Sequence, residues 1–186
     1  SLDYEHPDCY ASLQDLYNSF EQFANSVPFY GKTIVCIDDP NIQAILHGIN
    51  RPVSSYGISE KADITAINIS HEHSNSKFEL IIDESKSGIM ELTVPGLHNI
   101  KNALAAISVA REFDIPIDTI YSGLKNFTGV RRRFEIKHTT SEKILLIDDY
   151  AHHPSEVEAT LKAMKSGWNR RVICVFQPHL FTRTRD

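Results

Sequence analysis

Seven consecutive residues, Asp148-Asp149-Tyr150-Ala151-His152-His153-Pro154, bring two carboxylates, a phenol and two imidazoles into one short stretch. A second stretch, Gln177-Pro178-His179-Leu180-Phe181-Thr182-Arg183-Thr184-Arg185, adds an imidazole and two guanidiniums. A carboxylate accepts from sugar hydroxyls or holds a metal, and a guanidinium binds oxyanions through a planar fork. Asp149 suits the first role, and Tyr150, His152 and His153 suit contact with a substrate. Arg183 and Arg185 stand where a helix would begin, a place that favours anions. The plainer alternatives are that Asp149 and His152 cap the next helix, with Pro154 at an early position, and that the two arginines are surface charges.

Three other groups of residues could add to such a site. Asn99 and Asn102 open a helix three positions apart, so they share a face and could read the donor and acceptor edge of a purine. Arg131-Arg132-Arg133 suits phosphate recognition at an interdomain hinge, or is a solvated basic run. His6 precedes a helix and could bind a divalent cation, although a lone His is more often structural. Two decoys are set aside. Tyr30-Gly31-Lys32-Thr33 looks like the end of a phosphate loop, but it lacks the earlier Gly and leads into a strand. His71 and His73 share a strand face without a third ligand and read as surface residues.

The elements that must position these residues follow from periodicity. Lys143–Ile147 and Arg171–Phe176 read as strands, with an amphipathic helix over Ser155–Lys165 between them. A strand, helix and strand of these lengths predict a right-handed βαβ unit. Both polar clusters would then leave the carboxyl edge of one parallel sheet, where α/β sheets bind ligands. Upstream, Ser12–Val27 carries a helix face of Leu13, Leu16, Tyr17, Phe20, Phe23, Ala24 and Val27. Thr33–Ile37 and Val53–Tyr56 are short strands. Asp38-Asp39-Pro40 starts a helix with an acidic cap and an early Pro. Asp63–Ser70, Lys77–Asp83 and Gly88–Val94 form an antiparallel meander, turning at Ser74-Asn75-Ser76 and Ser85-Lys86-Ser87-Gly88. His98–Phe113 and Ile117–Phe127 are helices separated by Asp114 and Pro116. Thr128-Gly129-Val130 is the linker candidate. The fold class is therefore α/β, with domains over residues 1–128 and 129–186.

Composition narrows the function classes. A net charge of -5 over 186 residues disfavours a nucleic-acid-coating role. Three scattered cysteines show neither a disulfide framework nor a metal spacing, which suits a reducing, cytoplasmic setting. No apolar stretch approaches a membrane span. The chain has no initiator Met and no phosphate loop, so it reads as part of a longer protein.

In this order, the motifs within Asp3–Tyr10, Tyr30–Pro40, Gly96–Ala106, Gly129–Glu135, Asp148–Pro154 and Phe176–Asp186 resemble the Mur ligases of peptidoglycan synthesis. The resemblance runs end to end, and the last two segments are the most specific. It implies the latter part of a central ATPase domain, containing the meander, followed by the first part of a Rossmann-like carboxyl-terminal domain. It also implies ATP and Mg2+. By that resemblance His6 binds the metal, and Asn99 and Asn102, with His98 beside them, contact adenine. Arg133 lies near the nucleotide phosphates and Asp149 binds ribose. Tyr150, His153, His179 and Arg183 meet the incoming amino acid, Arg183 at its carboxylate. Arg133, His153 and Arg183 are the implied catalytic residues.

The reaction so implied forms an acyl phosphate on a carboxylate, which an amine then attacks to give an amide. Several siblings carry a carbamylated Lys on the helix after the metal His. Ser12–Val27 has no Lys, which points to the alanine-adding branch, with UDP-N-acetylmuramate and L-alanine as partners. Leu180 departs from the basic residue frequent in that branch. Two rivals remain at this stage: a ligase that recycles cell-wall tripeptide, which Phe176–Arg185 argues against, and a non-catalytic nucleotide-binding module.

Overall fold

Chemistry at the helix ends sets where the elements begin. The computed structural model describes residues 2–3, 9–59, 61–139 and 144–178. Helix α1 (Leu13–Asn25) starts at Ser12, whose hydroxyl accepts from the Asp15 N–H at 3.2 Å. Strand β1 (Thr33–Cys36) leads to α2 (Pro40–Ile45). There the Asp39 carboxylate accepts from the N–H groups of Asn41 and Ile42, and Pro40 occupies the first turn. Strands β2 (Val53–Gly57), β3 (Ile64–Glu72), β4 (Asn75–Ile82) and β5 (Ser85–Leu92) complete a five-stranded sheet in the order β1-β2-β3-β4-β5. β1 pairs with β2, and β2 with β3, in parallel. β3, β4 and β5 are joined by two-residue turns, which only antiparallel neighbours accept. Helices α3 (Leu97–Glu112) and α4 (Ile117–Asn126) follow, then β6 (Glu135–Thr139), β7 (Leu145–Asp148) and α5 (Pro154–Gly167).

Two compact units divide the chain: Ser1–Ile67 with Glu79–Gly88 and Lys101–Ile120, and Asn68–Phe78 with Ile89–Ile100 and Tyr121–Asp186. In the first, Leu2, Leu16 and Ile45 form a small core against Tyr10, Tyr17 and Ile42. Ile64, Leu80, Leu104 and Ile107 are buried as well. The helix face expected of α1 is only partly used. Leu16 and Ala24 are buried, whereas Phe23 is 74% exposed, because the residues packed on this helix engage the Leu16 side. Asp38, at the end of β1, is the polar anchor of this unit. Its side chain is only 3% exposed, and it accepts from the N–H groups of Ile58 and Ser59 and pairs with Lys101 Nζ at 2.9 Å.

In the second unit Phe78, Met90, Leu92, Val94, Ile100 and Phe134 are buried. β7 pairs antiparallel with β6, with a bulge between Ile136 and His138. Arg171–Phe176 does not form the expected strand: these residues have no regular structure, and Val175 is 95% exposed. Its β-branched residues favour extended backbone, but a strand is held by a paired neighbour. The ladder described for β7 goes to β6 instead. The parallel βαβ unit, and the shared sheet edge inferred from it, are therefore absent among the described residues. The turns also differ. The meander reverses at His73-Ser74 and at Asp83-Glu84, and both of the latter have positive φ (48° and 64°), the geometry of a hairpin turn.

The Asp38 contacts predict a pH effect. Burial would raise its pKa, but Lys101 and the two backbone N–H groups outweigh burial and hold the carboxyl below its ordinary 3.8. A carboxyl depressed on folding contributes stability above its unfolded pKa and loses it as pH falls through the folded value. Asp38→Asn keeps an acceptor for Ile58 and Ser59 but loses the charge. It is expected to cost about 1–2 kcal/mol at neutral pH, the partner being partly exposed, and nothing at pH well below 3.8. Urea unfolding across that range measures the difference; an equal cost at every pH contradicts the assignment.

Candidate functional site

The bend after β7 is organised by one carboxylate. Asp149 Oδ1 accepts from the Ala151 N–H at 2.9 Å, closing the turn that carries Tyr150. Asp149 Oδ2 accepts from the Phe134 N–H at 3.1 Å and from Thr160 Oγ1, on α5, at 2.8 Å. A single side chain thus ties together the segment ahead of β6, the bend after β7 and the helix that follows. Each carboxylate oxygen has more than one acceptor site, so these bonds leave Asp149 able to accept from a ligand hydroxyl.

Arg133 immediately precedes Phe134. Its Nη1 donates to Glu156 Oε1 at 2.9 Å. Arg132 and Phe134 both have positive φ (58° and 50°), so this segment is tightly contorted. The Arg132 guanidinium lies 4.5 Å from the centre of the Tyr150 ring, and its carbonyl accepts from the Tyr150 N–H at 2.8 Å. The Tyr150 and His152 rings meet edge to face at 5.0 Å. At the start of α5, Glu156 Oε2 accepts from the N–H groups of His152 and His153 at 3.1 and 3.4 Å. Burial would raise the Glu156 pKa, but the His152 N–H, Arg133 and the His153 N–H prevail and lower it.

The start of α3 joins the same cluster. Gly96 (φ 92°) approaches α5 so closely that an added Cβ would stand 2.9 Å from Ala163 Cβ and 2.8 Å from His98 Cε1. His98 is half-buried, with its pKa lowered by burial first; Asp149 opposes that shift and Arg133 adds to it. His98, Arg133 and Asp149 therefore sense one another's charge, and the imidazole is neutral at physiological pH. Asn99 donates its side-chain amide to the Pro95 carbonyl at 2.7 Å, which fixes its orientation at the helix start. Asn102 lies one turn on along α3 and is exposed.

Of the residues singled out from sequence, His98, Asn99, Arg133, Asp149, Tyr150 and His153 gather around the α3 start, the Arg133 loop and the bend after β7. His6, His179 and Arg183 lie outside the described residues. Among the described residues no group of three His, Cys, Asp or Glu side chains could hold a metal ion. The simple capping role for Asp149 does not hold: its donors come from Phe134, Ala151 and Thr160, while Glu156 caps the helix. Sequence reasoning missed Glu156 and Thr160. The three-residue spacing from His153 to Glu156 was a readable capping signal.

His71 is partly buried rather than the surface residue expected, whereas His73 is exposed, as expected, and still makes specific contacts. His71 Nδ1 lies 3.0 Å from the hydroxyl of buried Ser76. The His73 N–H donates to the Gly167 carbonyl at 3.2 Å, and its ring meets Trp168, which in turn stacks on Phe134 at 5.6 Å.

A neutral imidazole, a guanidinium beside a carboxylate and oriented amides are suited to binding and charge placement rather than covalent catalysis. Such groups are complementary to an anion that also carries hydroxyls and a heteroaromatic ring. The electrostatic coupling is testable by NMR titration of His98. Asp149→Asn should lower its pKa further, and Arg133→Ala should raise it. A His98 titration unmoved by either substitution contradicts the cluster.

Known proteins are similar to this chain along its length. Residues 1–110 match the Mur ligase middle domain, and residues 132–186 match the family described as Mur ligase, glutamate ligase domain. The UDP-N-acetylmuramate–L-alanine ligase of Salinibacter ruber is 46% identical over 187 residues, which cover 100% of this chain and 39% of the relative. That of Syntrophotalea carbinolica is 42% identical over 185 residues, covering 100% and 40%. The chain thus spans about 40% of the length of the curated relatives it matches. Among solved structures, UDP-N-acetylmuramate-alanine ligase MurC from Thermotoga maritima aligns with a TM-score of 0.73 and 27% identity, over 88% of this chain and 36% of that one. The MurF ligase of Thermotoga maritima in complex with ADP shares the fold, with a TM-score of 0.75 at 16% identity over 89% and 38% of the two chains. The chain belongs to the Mur ligase family.

Proposed function

We propose that this chain is the nucleotide- and amino-acid-binding part of an ATP-dependent ligase that joins L-alanine to UDP-N-acetylmuramate in peptidoglycan synthesis. The observation that carries the reading is the cluster of His98, Arg133 and Asp149 beside Asn99, in a chain similar throughout to enzymes of that name. Residues 1–128 belong to the central ATP-binding domain and residues 129–186 begin the carboxyl-terminal domain. The absence of a membrane-crossing helix among the described residues accords with a cytoplasmic enzyme acting on ATP and a nucleotide sugar.

Each residue then has a defined part. Asn99 and Asn102 bind adenine beside the neutral His98, and Asp149 accepts from a ribose hydroxyl. Arg133 holds the phosphates. Tyr150, His153, His179 and Arg183 receive L-alanine, with the Arg183 fork on its carboxylate. Mg2+ supplies charge neutralisation at the phosphates when bound, with His6 as its proposed ligand. The muramate carboxylate oxygen bonds to the γ-phosphorus of ATP as the bond to the ADP oxygen breaks. The amine of L-alanine then forms a C–N bond at the acyl carbon, losing a proton, and inorganic phosphate leaves. The protein contributes position and charge to both displacements, and a closed site protects the acyl phosphate from water.

The test uses the full-length protein, ATP and UDP-N-acetylmuramate, with L-alanine or a cell-wall tripeptide as acceptor. Phosphate release that depends on L-alanine is expected; release with the tripeptide alone contradicts the reading. Arg183→Ala should lower kcat/KM for L-alanine by about ten- to a hundredfold, the worth of a charge-assisted hydrogen bond, with the KM for ATP unchanged. A variant that loses ATP affinity and keeps L-alanine affinity reverses the assignment.

A further inference from the structure

We propose that Glu156 is a positioning residue for Arg133, holding its guanidinium in place for the nucleotide phosphates; this rests on the function proposed above. The two carboxylate oxygens of Glu156 have separate tasks. Oε1 takes the Arg133 guanidinium at 2.9 Å, while Oε2 takes the N–H groups of His152 and His153. The His152 Nδ1 lies 3.6 Å from the same Oε2. Glu156 thus spans from the loop before β6 to the turn bearing Tyr150, His152 and His153.

The need for such a brace follows from the chain around Arg133. Arg133 sits between two residues with positive φ, and its side chain is half exposed. A long guanidinium side chain in that position loses substantial rotamer freedom when it meets a phosphate. A carboxylate on α5 removes part of that freedom beforehand, and α5 is itself locked to the cluster through Thr160 and Ala163. Glu156 also balances the positive charge beside the half-buried His98, whose pKa Arg133 already lowers. A phosphate arriving at Arg133 meets a guanidinium that is oriented yet still has donors to offer, since the fork carries five N–H groups.

Glu156→Gln separates this role from capping, because a Gln at this position retains the acceptor needed by the backbone N–H groups. In the full-length protein, Glu156→Gln should unfold at the wild-type temperature and lower kcat/KM for ATP by about tenfold. The KM for L-alanine should stay within about twofold. Glu156→Asp, charged but one methylene shorter, should fall between wild type and Glu156→Gln. Added to Arg133→Ala, Glu156→Gln should have no further effect, because nothing remains to be positioned. If Glu156→Gln matches wild type while Arg133→Ala is impaired, Glu156 is only a cap and the proposal is overturned. Additive losses in the double variant overturn it equally. If Arg133→Ala itself leaves ATP use intact, both this proposal and the phosphate role of Arg133 fail.

Discussion

The Asp149 carboxylate, shared among the Phe134 N–H, the Ala151 N–H and the Thr160 hydroxyl, is the constraint on which the site depends. Charge-assisted bonds to a carboxylate are the stronger kind, and three that converge from separate segments fix those segments relative to one another. Holding Phe134 places Arg133 one residue before it. Holding Ala151 places Tyr150 and the two histidines after it. Holding Thr160 sets the phase of α5 and so puts Glu156 opposite Arg133. Remove the carboxylate and each functional group loses its reference point, since Phe134 and Thr160 share Oδ2 and Ala151 takes Oδ1.

Apolar packing supports the polar node from the other side. Phe134 is buried and stacks on Trp168, whose ring meets His73 at the tip of the meander. Gly167 approaches the His73 carbonyl so closely that a Cβ there would stand 2.6 Å from its oxygen. Gly96 makes the equivalent close approach to Ala163, one turn before the end of α5. Both close approaches fall in the C-terminal part of α5, and the polar contacts of Glu156 and Thr160 lie toward its N-terminal end. The fold spends its conformational freedom on close approach at these two places, and that brings the α3 start within electrostatic range of Arg133 and Asp149.

Much of this was legible from sequence where the signal is local. The Asp39-Pro40 start of α2, the alternation through β3, β4 and β5, and the residue types around Asp149 all follow from short-range rules. What was not legible depends on partners distant in the chain. Arg171–Phe176 has strand composition, yet a strand is defined by its neighbour, and β7 finds β6 instead. The reversal at Asp83-Glu84 was hidden because neither residue is Gly, although Asp tolerates positive φ. The capping contacts of Glu156 were readable from its spacing to His153, but its pairing with Arg133, distant in the chain, was not. His73 and Trp168 gave no sign of their pairing, since nothing in either local sequence refers to the other.

The central claim, that one carboxylate holds the segments of the site together, is tested most directly by amide hydrogen exchange in Asp149→Ala. The account predicts that the Phe134 and Ala151 N–H groups exchange about ten- to a hundredfold faster than in wild type, the worth of a charge-assisted hydrogen bond. Amides in β1 and β2 should keep their wild-type rates. Unchanged protection at Phe134 and Ala151, or a uniform rise across the whole chain, would contradict it.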